Sequence, residues 1–199
     1  MSKRQAVPMI LASASPRRRQ LLGEAGYQFK VVIPDVDESS FSAEPVGARA
    51  YAERLALAKA RSVAAGHADC VVIGADTVVD FGGEIIGKPA DAGEAERITR
   101  KLFSGPHKVI TGVAVVRLSD GIELVDSDST TVYPRRMTAE QLAGHIASGS
   151  WRDKAGAYAI REQGDEFVER IEGSLTNVMG LPMELLGRLL RRFEQARRS

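Results

Sequence analysis

The chain has 199 residues, 44% of them hydrophobic and 27% charged, with a formal net charge of +1, which suits a globular core and gives no global pull toward nucleic acid. No apolar stretch approaches the roughly 20 residues of a spanning helix, and the run after Met1-Ser2-Lys3-Arg4-Gln5 is too short for a secretory signal, so neither membrane nor export is expected and the cytoplasm is. A single cysteine, Cys70, excludes an internal disulfide and, inside Cys70-Val71-Val72-Ile73, reads as a buried structural thiol.

The apolar run Pro8 to Ala12 leads into Ser13-Ala14-Ser15-Pro16-Arg17-Arg18, where Ser15 suits an N-cap and Pro16 the first helical position. Leu21, Leu22 and Ala25 supply the apolar side of this helix before Gly26 ends it. A strand feeding a helix N-terminus that carries two hydroxyls and two guanidinium groups is a site for a phosphate. The same residues also suit a plain capped surface helix with a solvated arginine run.

A helix follows over 46–65, with Tyr51, Leu55 and Ala58 on its stripe and Gly66 as its stop. Val71 to Gly74 reads as a buried strand, and Gly82-Gly83 reads as a tight turn between Thr77 to Phe81 and Glu84 to Ile86. Asp91 and Glu94 cap a helix that carries Ala95, Ile98 and Leu102 inward. Val109 to Leu118 and Ile122 to Val125 form antiparallel strands around Ser119-Asp120-Gly121. Thr138 and Gln141 cap a helix with Leu142 and Ile146 that closes near Gly149. Phe167 to Ile171 reads as a strand, and Pro182 opens a last helix through Leu185, Leu186, Leu189 and Phe193, with Arg188, Arg191, Arg192, Arg197 and Arg198 on or beyond its solvated face. This alternation, without repeats or a low-complexity linker, predicts one α/β domain over residues 1–199: a mixed, twisted central sheet, flanking helices and two lobes around a cleft.

Four charges sit in apolar or glycine-rich settings: Glu38 at the end of an acidic cluster, Lys59 in an alanine-rich helix, Asp76 after an apolar strand, and Lys88 in Gly87-Lys88-Pro89. Each has a plain alternative as a turn residue, a surface charge or a snorkelling lysine. Taken together beside a helix-start anion site, they fit metal-assisted handling of a polyphosphate. Mg²⁺ is held by one or two carboxylates plus waters and substrate phosphates, and a nearby carboxylate can deprotonate the attacking water. Asp76 is the residue assigned that role.

The ordered blocks Leu11 to Arg18, Asp37-Glu38, Arg54 to Ala60, Gly74 to Val79, Gly87-Lys88-Pro89, Asp153 to Tyr158 and Gly180-Leu181-Pro182 resemble the Maf family of nucleoside triphosphate pyrophosphatases, first associated with septum formation. The resemblance implies a fold similar to that of the inosine triphosphate pyrophosphatases. It also implies a divalent-metal-dependent reaction, with Mg²⁺ or Mn²⁺, that gives a monophosphate and pyrophosphate. Carried onto matching positions, it implies Asp76 as proton acceptor, Glu38 beside it at the metal, and Ser13, Arg17, Arg18, Lys59 and Lys88 toward the phosphates, to which the helix-start reading adds Ser15. Asp76-Thr77 resembles the branch acting on thymidine and uridine triphosphates, with Arg17 and Thr77 at its specificity positions. A homodimer is also implied. Where that branch reads Tyr-Gly-Ile-Gln-Gly, this chain has Tyr158-Ala159-Ile160-Arg161-Glu162. Arg161 only donates and adds charge, so base preference is expected to shift there. The alternative function is a nucleotide-binding regulator of cell division whose hydrolysis is slow or incidental.

Overall fold

The computed structural model describes residues 7–41, 47–152, 154–158 and 167–198. Seven strands form one mixed sheet: β1 (Met9–Ala12), β2 (Lys30–Val32), β3 (Val71–Phe81), β4 (Glu84–Ile86), β5 (His107–Arg117), β6 (Ile122–Pro134) and β7 (Val168–Glu172). The order is β2-β1-β3-β5-β6-β7, with β4 also on β3. The pairs β1–β2 and β1–β3 are parallel, and the others are antiparallel. The helices are α1 (Pro16–Glu24), α2 (Gly47–Ala64), α3 (Ala92–Leu102), α4 (Ala139–Ser148), α5 (Leu175–Val178) and α6 (Met183–Ala196).

Local chemistry sets the boundaries. Ser15 caps α1 by accepting from the Arg18 amide, and Asp91 caps α3 by accepting from Glu94. Thr138 and Gln141 form a complete capping box on α4, which ends at Gly149 in the left-handed region. Gly82 and Gly83, with φ of +63° and +92°, turn β3 into β4 as their pairing requires.

On one face of the sheet, β3 residues Val71, Ile73 and Ala75 pack with α1 and α6 around Leu22, Leu186 and Phe193. Farther along the same strands, Val79 and Val109 pack with Ile98, Leu102 and Trp151 near α3 and α4. The opposite face belongs to α2, where Ala56, Ala60 and Val63 meet Val72 and Ala114. Burial of each large side chain here contributes about 1.5–3 kcal/mol.

Several details depart from the sequence reading. The buried stripe of α2 runs through Ala52, Leu55, Ala56, Lys59, Ala60 and Val63, so Tyr51 and Ala58 are only half-buried. Ala25 is exposed at the C-cap of α1, and Cys70 is half-buried. β3 is a single eleven-residue strand, which excludes a turn role for Asp76. β6 extends through the polar run Asp126 to Thr131 as far as Pro134. Arg197 leaves the solvated set to reach Asp120 at 3.3 Å.

Candidate active site

β1 accompanies β3 only as far as Ala12 opposite Gly74, and β4 joins the same edge only from Val79. Over residues 75–78 that edge of β3 carries no neighbouring strand among the described residues, and Asp76 lies in this gap. Its partner on the other side is Gly112 of β5. Glycine is needed there, because a Cβ on Gly112 would lie 2.4 Å from the Ala52 carbonyl oxygen; at Gly74 it would lie 2.2 Å from that of Ala56. These two glycines let α2 press onto the sheet. Strand alternation then turns Asp76 toward α2 and Thr77 to the opposite face.

Lys59 extends from the buried stripe of α2 and bridges two carboxylates. Its Nζ donates to Asp76 Oδ1 at 2.5 Å and lies 2.7 Å from Glu38 Oε1. Lys59 and Asp76 are both 8% exposed, whereas Glu38 faces solvent with about half of its side chain. Glu38 is carried in by a segment fastened to α2 at both ends. Ser62 Oγ accepts from the Asp35 amide and donates to the Asp35 carbonyl, and Arg54 stacks 5.9 Å from the Phe41 ring centroid. Between them, Asp37 caps the short 3-10 turn Glu38–Ser40.

Burial alone would raise the Glu38 pKa, but the hydrogen bond and charge of Lys59, and then the charges of Lys88 and Arg18, hold it below the usual carboxylate value. Lys88 is exposed on the loop after β4, where Gly87 accepts a hydrogen bond from Gly156. Burial, followed by the charges of Asp76 and Glu38, pushes the half-buried Tyr51 phenol up. Tyr51, on the apolar stripe by its sequence spacing, is thus also a neighbour of the acidic pair.

The N-terminal turn of α1 adjoins this cluster. Ser13 is buried and accepts from the Ser15 amide at 3.2 Å and from Arg18 Nη1 at 3.3 Å. Arg18 turns inward: Nη1 also donates to the Ala75 carbonyl at 2.8 Å, Nε to Gly180 at 2.7 Å and Nη2 to Thr77 Oγ1 at 3.0 Å. It therefore satisfies a carbonyl that the sheet leaves open at the β3 gap. Burial lowers its pKa, while Asp76 and Glu38 act in the opposite direction. Four of its five N–H groups are committed to protein acceptors. Thr77 likewise spends its hydroxyl internally, on Arg18 and on Thr111 Oγ1 at 2.9 Å. Arg17 is half-buried on the same turn. Arg161 lies outside the described residues.

The two carboxylates fit a hard divalent cation. Lys59 engages one oxygen of each and leaves the other without a hydrogen bond among the described residues. No group of three or more His, Cys, Asp or Glu side chains gathers here or anywhere else among the described residues, so a cation at this pair would draw its remaining ligands from water and substrate oxygens. The concave surface between α3 and α4, lined by Leu142, Ile146, Glu96 and Arg100, is apart from this cluster.

The Maf-like protein family profile matches residues 8–193. The chain belongs to the Maf family. Among similar proteins, the dTTP/UTP pyrophosphatase of Geotalea uraniireducens is 47% identical over 176 residues, covering 88% of this chain and 89% of that protein. The dTTP/UTP pyrophosphatase of Moorella thermoacetica is 45% identical over 182 residues, covering 92% and 93%. A solved structure, the nucleoside-triphosphatase / dITP/XTP pyrophosphatase from Mycobacterium abscessus, has a TM-score of 0.45 and 16% identity over 66% of this chain and 76% of that one. No helix of the described residues is long and apolar enough to cross a membrane.

Proposed function

We propose that this Maf-family chain hydrolyses nucleoside triphosphates to the monophosphate and pyrophosphate, with dTTP and UTP as its first substrates. The observation that carries this reading is the Glu38–Lys59–Asp76 cluster in the gap of β3, beside the N-terminal turn of α1. The amides of that turn, with Ser13, Ser15 and Arg17, hold the phosphate chain; Lys59 and Lys88 offset its negative charge. Asp76 orients a water molecule and takes its proton as the water oxygen bonds the α-phosphorus and the α–β phosphoanhydride bond breaks, releasing pyrophosphate. Glu38 and Asp76 would hold a divalent cation, Mg²⁺ or Mn²⁺, which would neutralise charge on the phosphate oxygens.

Family relatives named dTTP/UTP pyrophosphatase support the choice of substrate. Arg161 tunes the preference between bases, because a guanidinium cannot accept a hydrogen bond from a base edge as an amide can. We place the enzyme in the cytoplasm, as a homodimer, with free nucleotides and not nucleic acid as its partners.

A screen for pyrophosphate release across the normal and methylated nucleoside triphosphates, with Mg²⁺ and with Mn²⁺, tests the reading. The expected result is metal-dependent release that is greatest with dTTP or UTP. Nucleotide binding without release from any triphosphate would contradict it and leave a binding protein.

A further inference from the structure

We infer that Thr111 and Asn177 are positioning residues for the proposed hydrolysis: with Arg18, Thr77 and Gly180 they close a hydrogen-bond ring, buried at its Thr111–Asn177 side, that fixes the first turn of α1 against Asp76. The inference rests on the pyrophosphatase reading, and neither residue belongs to the cluster that meets substrate there.

The ring can be traced donor by donor. Arg18 Nη2 donates to Thr77 Oγ1 at 3.0 Å, and Thr111 Oγ1 donates to the Asn177 carbonyl at 3.0 Å. A hydroxyl has one proton, so the 2.9 Å contact between the two threonines is a donation from Thr77 to Thr111. Gly180 N also donates to the Asn177 carbonyl, at 2.9 Å, and Arg18 Nε donates to the Gly180 carbonyl at 2.7 Å, which closes the circuit. The Asn177 side chain anchors the far side: Nδ2 donates to the Val109 carbonyl at 2.9 Å and to Thr130 Oγ1 at 3.0 Å. Thr111, Thr130 and Asn177 are all fully buried.

Position gives the ring its consequence. Thr77 and Thr111 are cross-strand partners on the sheet face whose apolar clusters lie to either side, with Ala75 and Val113 in one and Val79 and Val109 in the other. An apolar pair here would avoid the desolvation of two hydroxyls but leave Arg18 Nη2 without its acceptor. Arg18 belongs to the helix whose N-terminal amides face the phosphates, and Thr77 adjoins Asp76 on β3. The ring therefore sets the distance between the held phosphate chain and the group that takes the proton. Gly180, with a φ of +103°, holds a left-handed conformation that side chains rarely adopt, and this turn is what aims its carbonyl at Arg18 Nε.

The test compares Thr111→Val, which keeps the shape and removes the hydroxyl, with Thr111→Ser, which keeps the hydroxyl. Both are assayed with Mg²⁺ and the triphosphate that wild type turns over fastest, below the melting temperature of either variant. Thr111→Val is expected to lower kcat by about 10- to 100-fold with a much smaller change in KM, and Thr111→Ser to restore kcat to near wild type. Wild-type kinetics in Thr111→Val, an equal loss in both variants, or a loss confined to KM would overturn the inference. If Thr111→Val does not fold, Thr111→Ala is read by the same criteria. Failure of wild type to release pyrophosphate would instead defeat the functional reading, so the two outcomes are separable.

Discussion

Lys59 is the residue on which the charge balance of the site turns. It is nearly buried between two carboxylates, so Lys59→Met would leave Asp76 and Glu38 facing each other without a cation. The cost is expected to be on the order of 2–3 kcal/mol in chemical denaturation, less than for a fully enclosed pair because Glu38 reaches solvent. Added divalent cation should restore part of that loss in Lys59→Met, through the carboxylates it would hold. An unchanged denaturation midpoint without metal would show that the bridge contributes nothing to folding. At position 161 the expectation concerns specificity: Arg161→Gln should move the ratio of kcat/KM between pyrimidine and purine triphosphates. An unchanged ratio would remove this residue from base selection.

The elements depend on two close approaches that a single methyl group would disrupt. Gly112→Ala would place Cβ 2.4 to 2.6 Å from backbone atoms of Ala52 and Glu53, so α2 must shift. A loss of about 1–3 kcal/mol is expected, with a fall in activity larger than the lost stability explains, because Lys59 moves with α2 away from Asp76. Wild-type activity in that variant would show that the spacing between helix and sheet does not govern the site. The caps of α1, α3 and α4 and the Gly82-Gly83 turn were legible because each is local chemistry of adjacent residues. The second half of β6 was not. Its Asp126-Ser127-Asp128-Ser129 run lacks a strand pattern, and its burial depends on partners far along the chain, with Ser127 bonded to Arg49 and Glu53. β2 has only three residues and little burial to announce it. The inward turn of Arg18 was equally hidden, since it answers a carbonyl left open by where β1 stops. Lys59 did leave a signal, because it falls on the same face as Ala52, Leu55, Ala56 and Val63 at helical spacing.

Across the whole molecule, His107 couples stability to pH. It is 2% exposed, its Nε2 meets the Tyr158 hydroxyl at 2.6 Å, and its Nδ1 has no hydrogen bond among the described residues. Burial lowers its pKa below the ordinary 6.5, against a smaller opposing effect from the backbone of Gly105 and Leu102. The unfolded chain therefore binds this proton more readily, so stability is full above about pH 6.5 and declines as pH falls from there toward the depressed native value. Thermal unfolding should show Tm falling through that window, with a shallower fall in His107→Gln; identical slopes would exclude His107 as the source. The pyrophosphatase reading as a whole stands on Asp76, and the most direct measurement is wild type against Asp76→Asn with saturating dTTP and Mg²⁺, following pyrophosphate release and nucleotide affinity together. Asp76→Asn is expected to keep nucleotide affinity within a modest factor of wild type, since Glu38 and the helix-start groups remain, while release slows by about a hundredfold or more. Equal release rates in the two proteins would contradict it.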